Sequence, residues 1–272
     1  LTMATAIDTH VVVPETTYVD RGTIMVDGHV IENFDAKARG QVNIQEILSQ
    51  SLNTGAVFLA ERIGKENLRN YFGAFGLGEL TEVDLAGEVP GNLTNLDSPR
   101  FIEFATAAFG QGVGVTPLGF TMALGALANG GLLMRPYIVE EIRYPSGQVQ
   151  TIGQEVKRRV MKEETSRTVT RMLVSVVDTA LAGGKGKLAG YSMAAKTGTA
   201  QIPSQYSKGY SDDFLHSFFG YAPAFKPHFL IFMYIERPRG VRYSSQSLTE
   251  PYKELMQFLL NYYEVPPDRL PS

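Results

Sequence analysis

The sequence predicts an α+β fold, with a helical lobe from about residue 40 to 131 set against a sheet-containing lobe from about 137 to 263. Three observations predict it. The first stretch carries apolar residues at helical spacing between capping residues and glycine stops. The second holds two runs rich in aromatic and β-branched residues, near 217–221 and 229–235, joined to helical patterns by short connections. The 272 residues, 44% hydrophobic and 19% charged, suffice for one large domain or two small ones with ample core. Lobes of different make-up leave a cleft between them, a usual place for a site.

Taken in order, residues 1–8 read as a helix already under way, closed by Val11-Val12-Val13 and Pro14. Asp27-Gly28 between two apolar runs signals a tight hairpin. Asn43 with Glu46 three residues on resembles a capping box, and Ile44, Ile47, Leu48 and Leu52 continue as an apolar face. The pattern permits one helix through to Gly64, with a possible break at Asn53-Thr54-Gly55. A helix from about Lys65 ends at Gly76-Leu77-Gly78, and residues 79–97 are loop-rich. Another helix covers about 101–109. Thr116 before Pro117 opens the next, which stops at Gly130-Gly131. Two strands, near 137–144 and 149–152, bracket the turn Pro145-Ser146-Gly147. Val169, Met172, Leu173, Val176 and Val177 stripe a helix from 164 to 182, and a terminal helix spans 248–262.

Composition excludes several classes. A net charge of −3 offers nothing to a nucleic acid, and the short basic run Lys157-Arg158-Arg159 reads as a solvated surface feature. The absence of cysteine excludes disulfides and thiolate metal sites. His10, His29, His216 and His228 lack metal-ligand spacing, so each reads as structural or exposed, and no metal is expected. Gly110, Gly112 and Gly114 miss the dinucleotide pattern because Val115 stands where its last glycine belongs. There is no phosphate loop and no G-x-S-x-G elbow. No cofactor is implied.

The chemistry-bearing stretch is Ala195-Lys196-Thr197-Gly198-Thr199-Ala200-Gln201, a short strand leaving the core before Pro203 and Ser204. Successive side chains on a strand face opposite ways, so Lys196 points to one side while Thr197 and Thr199 share the other. Gly198 offers bare backbone for close approach. A lysine, two aligned hydroxyls and bare backbone suit an extended peptide ending in a carboxylate. A solvated edge strand would look the same, and K-T-G alone recurs by chance in roughly one chain in twenty. The second site is Ser51-Leu52-Asn53. A hydroxyl and a carboxamide two residues apart cannot face the same way on a helix, so serving one cleft requires a turn here.

The order of motifs carries more than either alone. Ser51-Leu52-Asn53-Thr54-Gly55, Phe109-Gly110-Gln111-Gly112 with Val115-Thr116-Pro117-Leu118, Ala128-Asn129-Gly130-Gly131, Lys196-Thr197-Gly198-Thr199-Ala200-Gln201 and Phe219-Gly220-Tyr221-Ala222-Pro223 follow one another. This resembles the transpeptidase domain of penicillin-binding proteins, whose signature is S-x-x-K, S-D-N and K-T-G. K-T-G-T-A-Q with His216-Ser217-Phe218-Phe219-Gly220 downstream is most similar to the monofunctional class B enzymes of elongation or division. The resemblance implies the serine penicillin-recognising fold, an antiparallel sheet flanked by helices plus an all-helical lobe. One departure is large: no serine is followed by lysine at the third position. Leu1-Thr2-Met3-Ala4 resembles the stretch just downstream of that motif, so the nucleophile is expected upstream of Leu1.

By resemblance, the function is D,D-transpeptidation. An upstream serine attacks the carbonyl between two terminal D-alanines of a peptidoglycan stem peptide, and a second strand's amine opens the acyl-enzyme. Ser51 and Lys196 relay a proton to the leaving amine and Asn53 orients the substrate amide. Thr197 and Thr199 hold the carboxylate, Gly198 keeps the strand approachable, and the Thr199 N–H is half of an oxyanion hole. β-Lactams imitate the D-alanyl end. The implied location is the extracytoplasmic face of the bacterial membrane, on an anchor outside this chain, with other cell-wall synthesis proteins as partners. Residues 1–272 alone are expected to be inactive, since Lys196 is read as a partly exposed lysine near its ordinary pKa of about 10.4. A D,D-carboxypeptidase or β-lactamase of the same fold, and a non-catalytic β-lactam sensor or scaffold, are the alternatives.

Overall fold

The computed structural model describes residues 1–204 and 209–270. Helix α1 (Thr2–Asp8) leads into β1 (Thr17–Asp20), the hairpin β2 (Thr23–Val26) and β3 (His29–Glu32), and β4 (Gly40–Asn43), which pairs antiparallel with β1. The hairpin turn is the one its residues demand. Asp27 and Gly28 both take positive φ, 47° and 80°, as a two-residue turn of this hand requires. Asp27 also accepts the Ile102 N–H at 2.8 Å, which seats the hairpin on a helix far along the chain.

Five helices follow: α2 (Ile44–Ser49), α3 (Asn53–Ile63), α4 (Lys65–Ala74), α5 (Phe101–Ala108) and α6 (Pro117–Ala128). Asn43 caps α2 by accepting the Glu46 N–H at 3.3 Å. The capping box is not reciprocal, because the Glu46 carboxylate turns to Gln50 instead. Thr116 caps α6 through the Gly119 N–H, with Pro117 at the first helical position. The break permitted at residues 53–55 falls earlier, at residues 50–52, and Asn53 already begins α3.

Beyond α6, β5 (Leu132–Arg135) is followed by the short hairpin β6 (Glu141–Arg143) and β7 (Val149–Thr151), then by β8 (Glu155–Arg159), which pairs with β5. The basic run Lys157-Arg158-Arg159 lies on this surface strand, with Arg159 exposed and the other two half-buried against partners. Lys157 pairs with Glu82 at 3.0 Å with its side chain only 11% exposed. Arg158 donates to the Ala74 and Gly73 carbonyls and to Glu79. A cation at the carbonyl end of α4 complements the helix dipole, which draws Arg158 out of solvent. Helix α7 (Glu163–Ser175) ends in a five-residue π turn, Val176–Ala180, earlier than its apolar stripe suggests.

The main sheet comes last: β9 (Ala194–Pro203), β10 (Tyr210–Ala222) and β11 (Phe229–Glu236), in the order β11-β10-β9, all antiparallel. Helices α8 (Ser244–Ser247) and α9 (Thr249–Tyr262) close the described fold. Alternation along β9 and β10 divides two cores. Ala194 and Tyr221 join the large cluster shared with α1 and helices α3 to α7. Ala195, Phe218 and Ala222 pack instead against Tyr252, Met256 and Leu260 of α9. The sheet is thus covered on both faces, and β9 is one of its two edge strands, β11 the other.

Candidate active site

The α2–α3 break is built from backbone chemistry. Leu52 N–H donates to the Ile47 carbonyl at 3.0 Å and Ser51 N–H to the Leu48 carbonyl at 3.4 Å. Together these close α2 as a Schellman motif, which places Ser51 in the left-handed position usually given to glycine. Its φ is 54°. Buried Leu52 and Ile47 supply the apolar contact that accompanies this motif. A serine here is strained, and the strain fixes its hydroxyl at the mouth of the turn. We expect Ser51→Gly to be more stable than Ser51→Ala by about 1 kcal/mol, because both lack the hydroxyl and only glycine takes positive φ freely. Equal denaturation midpoints for the two variants would show that the turn holds no such strain.

Lys196 reaches that hydroxyl across the cleft. Its Nζ donates to Ser51 Oγ at 3.0 Å and to the Thr197 carbonyl at 3.0 Å. Burial beside the strand pulls the Lys196 ammonium down to about 8. The expectation of an ordinary lysine pKa is thereby corrected, although about nine in ten molecules still carry the proton at pH 7. The Thr197 carbonyl faces the open edge of β9, where Lys196 meets it. Backbone groups two residues apart on a strand point the same way, so the Thr199 N–H also faces that edge.

Thr197 and Thr199 stand on the other face. Thr197 pairs with Phe218 and Thr199 with His216 in the β9–β10 register. The Thr199 hydroxyl accepts the Ser244 N–H at 3.1 Å and lies 3.2 Å from Ser244 Oγ. His216, fully buried, is held by Ser247 Oγ at 2.8 Å and the Arg242 carbonyl at 3.1 Å. Its pKa is lowered, with burial the main cause. The pattern reading missed Ser244, Ser247 and the link through His216, because contacts some 30 to 45 residues apart leave no local signal. A Cβ at Gly198 would meet Ser217 Oγ at 2.5 Å, so the glycine answers a neighbour within the sheet as well as a bare edge. Asn53 donates through Nδ2 to the Glu32 carbonyl at 2.8 Å and not to Ser51 or Lys196. The structure thus joins Ser51 to Lys196 and Thr197, and Thr199 to Ser244. Among the described residues, no group of three or more His, Cys, Asp or Glu side chains could hold a metal ion.

Residues 1–257 match the penicillin binding protein transpeptidase domain. The chain belongs to this family. It is similar to stage V sporulation protein D of Bacillus subtilis, with 38% identity over 228 residues, 82% of this chain and 34% of that protein. It is 32% identical over 275 residues to the penicillin-binding protein PbpB of Mycolicibacterium smegmatis, covering 98% of this chain and 42% of the relative. The chain therefore spans about a third to two fifths of the length of these relatives. Among solved structures, penicillin binding protein 3 of Mycobacterium tuberculosis complexed with aztreonam superposes with a TM-score of 0.88 at 26% identity, over 100% of this chain and 63% of that one. The apo transpeptidase domain of Burkholderia pseudomallei penicillin-binding protein 3 gives 0.85 at 27% identity, over 99% and 78%. The α+β penicillin-binding transpeptidase fold read from the motif order is the fold the chain has.

Proposed function

We propose that this chain supplies the proton-relay and carboxylate-binding parts of a D,D-transpeptidase that cross-links peptidoglycan stem peptides through a serine acyl-enzyme and is acylated by β-lactams. The 3.0 Å approach of Lys196 Nζ to Ser51 Oγ at the open edge of β9 carries the reading. An extended peptide can add to a free strand edge by main-chain hydrogen bonds, and this edge presents those groups between a cation and two hydroxyls.

The nucleophile is assigned to an S-x-x-K segment outside residues 1–272, in which no serine has lysine at the third position after it. That serine attacks the penultimate carbonyl, its proton passing to the lysine of its own motif. The Lys196 ammonium, through the Ser51 hydroxyl, then protonates the leaving D-alanine nitrogen. Asn53, anchored through Nδ2, keeps its Oδ1 for the substrate amide. The Thr199 N–H faces the developing oxyanion, a donor whose loss costs about 3–4 kcal/mol of barrier. Other cell-wall synthesis proteins are assigned to segments beyond this chain. Among the described residues no helix is long and apolar enough to cross a membrane. An extracytoplasmic position on an anchor elsewhere in the protein completes the reading.

The test uses the complete protein. Hydrogen bonds to a charged group contribute about 1.5–3 kcal/mol each, so the double variant Thr197→Val, Thr199→Val should acylate with a carboxylate-bearing β-lactam well over tenfold more slowly. An unchanged rate removes both hydroxyls from carboxylate binding. With a stem-peptide donor and an amine acceptor, each D-alanine released on acylation should be matched by one cross-linked dimer. Free D-alanine alone would mark a carboxypeptidase, and no acyl adduct at all a sensor or scaffold.

A further inference from the structure

The turn that carries Ser51 and Asn53 is not held by its own residues. Leu52, at the N-cap of α3, provides no side-chain cap. The cap comes from 21 residues away: Asn33 Oδ1 accepts the Thr54 N–H at 3.2 Å. Asn33 is in turn gripped by Asp20, whose two carboxylate oxygens accept from Asn33 Nδ2 at 3.0 and 3.1 Å. Asp20 also accepts the Thr54 hydroxyl at 2.7 Å and the Gly22 and Arg39 N–H groups at 3.0 Å each. It is 1% exposed, and Asn33 2%. Among the described residues no ion pair of Asp20 is present, and its charge is met by neutral donors that hold its pKa down against the opposing effect of burial. Close by, Asn53 Nδ2 is pinned to the Glu32 carbonyl.

All of these holding residues sit in the strand-rich segment between α1 and α2, and Asp20, Asn33 and the Glu32 carbonyl each bond a residue of the first turn of α3. Packing there leaves no slack. A Cβ on Gly55 would meet Ile47 Cγ1 at 2.5 Å and the Tyr18 hydroxyl at 2.7 Å. A buried carboxylate at the amino end of a helix also complements its dipole. Each of these features could serve stability alone. Their convergence on the turn that brings Ser51 within 3.0 Å of Lys196 separates this node from the other buried polar contacts of the chain.

We infer that Asp20 and Asn33 are positioning residues for the reaction: they set where the Ser51–Asn53 turn stands relative to Lys196. The inference rests on the transpeptidase reading above. Its mechanism is geometric. In Asp20→Asn the new amide presents N–H groups to the Asn33 amide and the Arg39 N–H, donor against donor, and α3 loses the anchor of its cap. A displacement near 1 Å at a reacting group can cost up to about a hundredfold in rate.

The experiment compares complete proteins in acylation by a carboxylate-bearing β-lactam, with binding before acylation and the acylation step resolved separately. Asp20→Asn should slow the acylation step by about ten- to a hundredfold and leave prior binding unchanged, because the Thr197 and Thr199 face is untouched. Thr170→Val, which deletes a buried bond to Tyr221 away from the turn, is the stability control. It should lower the melting temperature without slowing acylation. The reciprocal variant Asp20→Asn, Asn33→Asp restores an amide against a carboxylate between positions 20 and 33 and should recover part of the lost rate. Thr54→Val removes the hydroxyl bonds to Asp20 and Asn33, keeps the Thr54 N–H bond to Asn33, and carries the test if Asp20→Asn does not fold. An Asp20→Asn (or then Thr54→Val) protein that acylates at the wild-type rate, or no more slowly than a Thr170→Val protein, overturns the inference. So does a folded reciprocal variant that stays as slow as the single one. Failure of wild-type protein to acylate would instead overturn the transpeptidase reading.

Discussion

Lys196→Met in the complete protein is expected to slow β-lactam acylation by about a thousandfold while making the fold more stable at neutral pH. The rate loss is the middle of the range for a positioned proton donor, about 10²–10⁴-fold. The stability gain follows from burial. Lys196 titrates at about 8 in the fold against a reference of 10.5, because the ammonium is desolvated beside β9. A folded pKa below the unfolded one means that the unfolded chain binds more protons between these values. Wild-type stability linked to Lys196 therefore rises from about pH 8 towards 10.5, and the penalty is fully present below pH 8. Methionine has similar length and no charge, so its advantage should be greatest below pH 8 and shrink above it. Denaturation across pH 6–10, beside stopped-flow acylation, checks both halves. Acylation within tenfold of wild type would take Lys196 out of the proton path. A stability difference that grew with pH would contradict the desolvation account.

A second large effect is all-or-none. Residues 1–272 alone should form no covalent adduct with a fluorescent penicillin, whereas the chain extended through an S-x-x-K segment should label stoichiometrically. Ser51 is no substitute nucleophile. Its neighbour Lys196 is still mainly protonated at pH 7, and a serine needs an adjacent base to attack. Cooperative unfolding of the short chain must be shown first, so that a negative result reports chemistry and not misfolding. Stoichiometric labelling of a folded short chain would place the nucleophile within it and overturn its assignment to an outside segment.

Local signals are legible where the physics is local. The hairpin at Asp27-Gly28, the cap at Thr116 and the strands around Lys196 follow from turn chemistry, capping and alternation, and each is present. Strands β1, β4, β5 and β8 are only four or five residues long, too short for a period to mark them. Arg158 looks solvated in sequence because nothing in its neighbourhood announces the carbonyl end of α4 some 85 residues earlier. At the site, Ser51 has to leave a helix to serve the cleft, and it does so through a left-handed residue that sequence alone would assign to glycine. The partners that orient these groups, Asp20, Asn33 and Ser244, are ordinary polar residues made informative only by tertiary contact.

The open edge of β9 has a consequence for the protein outside its chemistry. An unpaired strand with apolar neighbours is a template for self-association, and most proteins blunt such edges with proline, bulges or charge. Along residues 196–199 this chain has the Lys196 charge but neither proline nor bulge, as a substrate lying there requires. Its protection is steric: the Ser51 turn closes over one side of the edge and the Ser244 segment over the other. Damage to either wall, by heat or by substitution, should therefore expose a pairing surface before the core melts. Aggregation, ahead of lost secondary structure, would be the first sign of failure.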